Sequence, residues 1–280
     1  MSEKKLMLNA NGFGMSKAAN KAVLHGYLEG FLSGASLCAN GSAFNPAVNE
    51  IIPECPNLSI GVHLNLTKGT SLTKADLLTD KKGQFNKNFL YFLFKHDSKM
   101  LKQIEFEFRT QIETLMNYTK VYHIDSVEEV HAIPDIFKLT LKLAKEYNIP
   151  FVRSYYEEFF LTNSVSKYLN FNYPVNLSKS LLLNYFSHNN KILAKKSLVK
   201  TNDNVIGILH SNFMDSKIVE DGLSMIDSDN CLVDVIINPC YYGTQKQDKY
   251  FKEYLIAKDK DLKDKIQRIG FEITNYKYES

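Results

Sequence analysis

The chain has 280 residues, 44% of them hydrophobic and 23% charged, an ordinary globular composition that excludes global disorder and fits one large (β/α) barrel of roughly 250 residues. Its 34 Lys and Arg against 31 Asp and Glu leave a formal charge of +3, with no dense basic stripe to neutralise phosphates, so no nucleic acid partner is expected. The charged start, Met-Ser-Glu-Lys-Lys-Leu, lacks the apolar core of a signal peptide. No run approaches the roughly 20 apolar residues of a membrane span, so a cytoplasmic protein without membrane contact is expected. Four scattered cysteines, Cys38, Cys55, Cys231 and Cys240, form no CxxC pair and suit reduced, mostly buried thiols.

Leu6–Ala10 is a short apolar run ending in a Gly-containing turn, the pattern of a buried parallel strand. Ser16 to Gly30 then places Ala19, Val23 and Tyr27 at helical spacing. Phe31–Leu37 predicts a second strand, Pro46–Ile52 a helix, and Leu58–Leu64 a third strand. Thr67–Asn88 carries no clear periodicity and predicts a surface excursion. Phe89–Tyr118 is helical by pattern, Val121–Ser126 a strand, Ile133–Tyr147 a helix with Pro134 near its start, and Phe151–Arg153 another strand. Glu157–Asn204, rich in Asn, Ser, Tyr and Lys, predicts an irregular insertion with some helix. Strands return at Val205–Leu209, Cys231–Pro239 and Phe271–Ile273. This alternation predicts a single α/β domain over residues 1–280 with parallel strands and outer helices.

In a parallel barrel the reactive groups close the strands at their carboxyl ends. The polar residues in those places are Asn9, Asn11, Asn40, His63, Asn65, His123, Asp125, Arg153, His210 and Asn238. Period-two alternation would put His123, Asp125, Val127, Glu129 and His131 on one face if the extended conformation persists that far. Such a row of polar groups is costly in a sealed core and predicts a cleft. A hydrogen-bonded structural pair of His123 and Asp125, with His131 in the loop before Pro134, fits the spacing equally well.

Asn9-Ala10-Asn11-Gly12-Phe13-Gly14-Met15-Ser16, followed by a helix and by Ser36–Phe44, resembles the amino-terminal signature of the YdjC-like carbohydrate deacetylases. That family includes chito-oligosaccharide deacetylases of the ChbG type and the HpnK-type enzymes. Ile60–Thr67 resembles the family's Gly-x-His-Leu-x-Leu-Thr strand, and His123-Ile124-Asp125-Ser126 its His-rich segment, closed by Val130-His131 and Pro134. Arg153, Asn238-Pro239 and Gly270–Ile273 before Tyr276 follow in the expected order. The resemblance spans nearly the whole chain and implies a distorted TIM-like (β/α) barrel.

For chemistry it implies a divalent metal, Mg or Zn, held by one Asp and two His, with a second Asp as base and a late His assisting the leaving amine. This chain departs from that pattern at four places. The paired aspartates are Asn11 and Gly12, the metal His after Asp-Ser is Val127, and the late His is Asn238. Of the implied metal ligands only His63 remains, so the metal is expected to be weakly held or absent. Asp125 and Arg153 are the remaining catalytic candidates. Asn11, Asn40, His63, Asn65, His123, Glu129, His131 and Asn238 are the expected cleft. The favoured reading is a pseudoenzyme that binds a sugar or glycan. The alternative is an active metal-dependent N-deacetylase whose site is rebuilt from His63, His123, Asp125, Glu128, Glu129 and His131. A homodimer is left open.

Overall fold

The computed structural model describes residues 3–162, 172–241 and 249–279. Eight strands form one sheet: β1 Glu3–Phe13, β2 Gly34–Leu37, β3 Ser59–Leu64, β4 His123–Ser126, β5 Phe151–Val152, β6 Asn204–Ile206, β7 Asn230–Ile237 and β8 Phe271–Ile273. The order is β5-β4-β3-β2-β1-β7-β6, with β8 paired to the start of β1. Every strand pair is parallel. Leu6, Met7 and Leu8 are completely or almost completely buried, as expected of a central parallel strand covered on both faces. The two ends of the sheet are drawn together by main-chain bonds: Val152 N donates to Lys200 O at 3.0 Å and Val205 N to Tyr156 O at 2.8 Å. The result is a curled, TIM-like arrangement with long β1 and β7 and very short β5, β6 and β8.

Around it lie α1 Lys17–Leu28, α2 Phe89–Phe94, α3 Ser98–Met116, α4 Pro134–Glu146, α5 Asn172–Lys196, α6 Ser216–Ser224, α7 Lys249–Lys258 and α8 Lys260–Arg268. Local chemistry sets their starts. Ser16 caps α1 by accepting from Ala19 N, and Pro134 opens α4, where its missing N–H is no loss. The helical pattern read over Phe89–Tyr118 is broken in two, because Asp97 accepts from Lys99 N and Met100 N and so begins a new helix. None of the described helices is long and apolar enough to cross a membrane.

The stretch expected to be irregular, 157–204, carries the 25-residue helix α5; its positions 163–171 lie outside the described residues. The buried face of α5 includes Asn176, Ser180, Ser187 and Asn190 beside Leu183, Phe186 and Ala194. Polar side chains on that face serve main-chain partners: Asn190 donates to Ala132 O at 2.8 Å and Asn176 to Ser211 O at 2.9 Å. A helix docked this way has little hydrophobic periodicity to read.

Two glycines shape the mouth of the barrel. The β1–β2 register shifts between Ala10 and Phe13, and Gly12 sits in that bulge with φ +75°, a conformation glycine adopts without steric cost. At Gly61 a Cβ would come 2.2 Å from the His123 ring, so only glycine lets the imidazole lie against β3.

Candidate functional site

The strand register places His63 directly opposite Asp125, and His63 Nδ1 lies 2.8 Å from Asp125 Oδ1. Asp125 is completely buried. Its other oxygen accepts from Ser36 Oγ at 2.7 Å and from Arg153 Nη1. Burial opposes ionisation of Asp125, but the Arg153 guanidinium and His63 outweigh it and hold the carboxyl well below the usual range.

Ser36 Oγ also lies 2.9 Å from His123 Nε2 and accepts from Asn9 Nδ2 at 2.9 Å. Burial pushes His123 down to about 3, so the ring is neutral. Since the Ser36 proton goes to Asp125, His123 must carry its proton on Nε2 and donate to Ser36. Its Nδ1 then holds a lone pair without a partner among the described residues. The ring stacks on Tyr276 at 4.3 Å.

Arg153 ties the cluster together. Its Nε donates to Asp234 Oδ2 at 2.7 Å and its Nη1 to Asn11 Oδ1 at 3.0 Å, while Tyr276 OH donates to the same Asp234 oxygen at 2.7 Å. Asn11 Oδ1 accepts in addition from Asn9 Nδ2 at 3.2 Å. Both lone pairs of that oxygen are therefore used, and Asn11 offers only its N–H₂ group to anything else.

His63, His123, Asp125, Arg153 and Asn11 thus belong to one hydrogen-bonded cluster. The other expected residues take different roles. The chain does not stay extended beyond β4: residues Val127–Ala132 form 3₁₀ turns, with Glu128 and Glu129 at φ 56° and 59°. The expected common face through His131 is therefore not formed. His131 turns to Ser126 Oγ at 2.8 Å and Arg153 O at 3.0 Å, and burial pushes it down to about 4. Glu129 pairs with Lys179. Asn65 and Asn40 staple the loop after β3: Asn65 Nδ2 reaches Asn40 Oδ1 at 2.9 Å and Lys68 O at 2.7 Å, and Asn40 Nδ2 reaches Thr70 O at 2.9 Å. Asn238 follows Ile237, whose register partner is Ala10, and its main-chain N–H donates to Glu253 in α7.

Sequence reasoning passed over Ser36, Asp234 and Glu157. Asp234 is a lone carboxylate in the apolar run Leu232–Ile237, and a buried charge of that kind demands a partner. Glu157 is buried and accepts from three successive N–H groups, of Gly207 at 2.8 Å, Ile208 at 3.2 Å and Leu209 at 2.6 Å. Burial pushes its carboxyl up to about 7 against those bonds.

The residues present do not fit the divalent metal that the motif order implies. Gly12 has no donor atom, and open space surrounds the position its Cβ would take. Val127 is apolar and buried, the Asn11 oxygen is committed, and His63 has one nitrogen on Asp125. Among the described residues, no group of three or more His, Cys, Asp or Glu could hold a metal ion.

The family model described as "YdjC-like protein" matches residues 5–268. A carbohydrate deacetylase of Clostridium beijerinckii is 36% identical over 148 residues, 52% of this chain and 58% of the relative. One from Thermoanaerobacter pseudethanolicus is 31% identical over 155 residues, 54% of this chain and 60% of the relative. The chain thus spans under two thirds of the length of these curated relatives. Among solved structures, a proposed cellobiose-phosphate cleavage protein of Enterococcus faecalis V583 superposes with TM-score 0.77 over 100% of both chains at 20% identity. An uncharacterized protein of Agrobacterium tumefaciens C58 superposes with TM-score 0.54 over 100% of this chain and 90% of that one, at 8% identity. Both likenesses concern the fold.

Proposed function

The chain belongs to the YdjC-like protein family, and we propose that within it this protein binds a sugar or glycan while metal-dependent N-deacetylation is lost or strongly weakened. One observation carries the reading. At the carboxyl end of β1, Gly12 supplies no ligand and the Asn11 oxygen is saturated by Asn9 and Arg153. An amide near neutrality cannot accept a proton as a carboxylate base would. With Val127 and Asn238 in place of imidazoles, charge neutralisation and proton transfer are both missing.

Binding needs less. The Asn11 N–H₂ group and His63 Nε2 have no hydrogen-bond partner among the described residues, and they are suited to sugar hydroxyls or an amide carbonyl. The His63–Asp125 pair fixes the imidazole plane, and Arg153 fixes Asn11. The curated relatives' names, carbohydrate deacetylase, support a carbohydrate as the ligand class.

The test measures acetate release from N-acetylated chito-oligosaccharides with added Zn²⁺, Mg²⁺ and Co²⁺, beside calorimetric binding of the same sugars. Binding without turnover, unchanged by chelator, is expected. Robust turnover abolished by His63→Ala would overturn the reading and favour a rebuilt hydrolase site.

A further inference from the structure

We infer that a second subsite beside the cluster takes the free-amine form of a hexosamine in preference to its N-acetylated form. A cleft of about 560 Å³ is lined by Phe89, Leu90, Glu128, Val175, Lys179 and Leu182 among others, a volume within the range of small-molecule sites. Its walls come from the segments that follow β3, β4 and β5, the same three adjacent strands that lead to His63, Asp125 and Arg153. It therefore opens on the carboxyl-end face of the barrel, where loops carry function.

The lining is mostly apolar, and Leu90 and Val175 are 58% and 66% exposed. Lys179 is neutralised by Glu129. Among the described residues Glu128 has neither ion pair nor hydrogen bond, so the cleft holds one uncompensated carboxylate. Glu128 and Glu129 both stand in the left-handed region, at φ 56° and 59°, a strained backbone of the kind that tends to be retained at functional sites. That turn brings Glu128 to the apolar cleft while its neighbour neutralises Lys179.

The complementary ligand has an apolar ring face and a positive charge. A pyranose presents its C–H face to the aliphatic walls, and a free amine pairs with Glu128 in a charge-assisted bond. An N-acetyl group is neutral and forfeits that pair. This inference rests on the glycan-binding reading above and names the form of sugar bound.

The experiment titrates glucosamine oligomers and N-acetylglucosamine oligomers of equal length into the wild type and Glu128→Gln at two ionic strengths. The wild type is expected to bind the free-amine oligomer about tenfold more tightly, a preference that shrinks at high salt. Glu128→Gln is expected to remove the preference, lowering the affinity for the free-amine oligomer to that for the acetylated one. Val175→Arg, at an exposed position, places a cation in the cleft and is expected to weaken the free-amine oligomer selectively. Equal binding of the two oligomers, or a preference that survives Glu128→Gln, overturns the subsite and leaves the glycan-binding reading standing. Failure of both oligomers to bind overturns both.

Discussion

The two sides of the barrel mouth are built differently. On the β3–β4 side, His63, Asp125, Ser36 and His123 form a continuous chain of hydrogen bonds, anchored through Arg153 to Asp234 and Tyr276. On the β1–β7 side, Asn11, Gly12 and Asn238 bring no ionisable side chain, and space beside Gly12 is open. Burial explains the contrast. Asp125, Arg153 and Asp234 are completely buried, so removing one partner strands a charge whether or not the site does chemistry. Gly12 has no buried charge to balance, and the cost of change there is the left-handed backbone at φ +75° rather than a stranded charge.

The largest effect is expected from restoring the missing groups together. Asn11→Asp, Gly12→Asp, Val127→His and Asn238→His in one chain should raise acetate release about a hundredfold or more with Zn²⁺ present, since general acid–base groups alone contribute about 10²–10⁴. Aspartate tolerates the left-handed backbone of position 12 better than most residues, and no heavy atom lies within 4 Å of its Cβ. A folded quadruple variant that binds one Zn²⁺ and stays at background would show that these three positions of the β1–β7 side and Val127 after β4 do not decide activity.

Next in size is Arg153→Met. It leaves Asp125 and Asp234 buried without their common cation, and a loss of about 3–5 kcal/mol in urea unfolding is expected. A loss below about 1 kcal/mol would mean that the β3–β4 side is not held by this ion pair.

Acid titration separates the cluster from the Glu157 anchor. Burial holds Glu157 at about 7 against an ordinary 4.5, so between those values the folded chain keeps a proton that the unfolded chain releases, and stability falls as pH rises. His123 and His131, lowered from 6.5 to about 3 and about 4, act with the opposite sign: the unfolded chain takes up their protons, and stability falls as pH drops below 6.5. Glu157→Gln should therefore steepen the loss of stability from pH 6.5 down to 4.5, by up to about 1.4 kcal/mol per pH unit. An unchanged slope would place the Glu157 pKa near its ordinary value.

The smallest effect is expected at Asn65→Ala, which unfastens the loop after β3 from Asn40 and Lys68. Chemical denaturation should show a loss of about 1–2 kcal/mol, with glycan affinity changed little. A large loss of affinity at normal stability would place Asn65 in direct contact with the ligand.

Much of this architecture is legible in the sequence, because buried parallel strands write themselves as apolar runs: Leu6–Ala10 lies within β1, Leu58–Leu64 overlaps β3, and Cys231–Pro239 overlaps β7, which ends two residues earlier at Ile237. The carboxyl-end polar residues His63, His123, Asp125 and Arg153 could be collected by the same logic. What stays hidden depends on the third dimension. Two non-glycine residues in the left-handed region at 128 and 129 have no sequence signature, and they turn His131 away from the row that alternation would give. The buried face of α5 is partly asparagine and serine, so hydrophobic spacing underestimates the helix. Ser36 becomes recognisable only once Asn9 and His123 are seen around it, whereas Asp234 is marked in the sequence as a lone carboxylate in an apolar run and lacks only its partners, Arg153 and Tyr276.

The central proposal is that Asn11, Gly12 and Asn238 on the β1–β7 side, together with Val127 after β4, do not supply the groups that would hold and use a metal, and metal stoichiometry tests it most directly. The protein is loaded with excess Zn²⁺, gently desalted and assayed by mass spectrometry beside His63→Ala. Far less than one equivalent per chain, indistinguishable between the two proteins, is the expected result. One equivalent retained by the wild type and lost in His63→Ala would contradict the account.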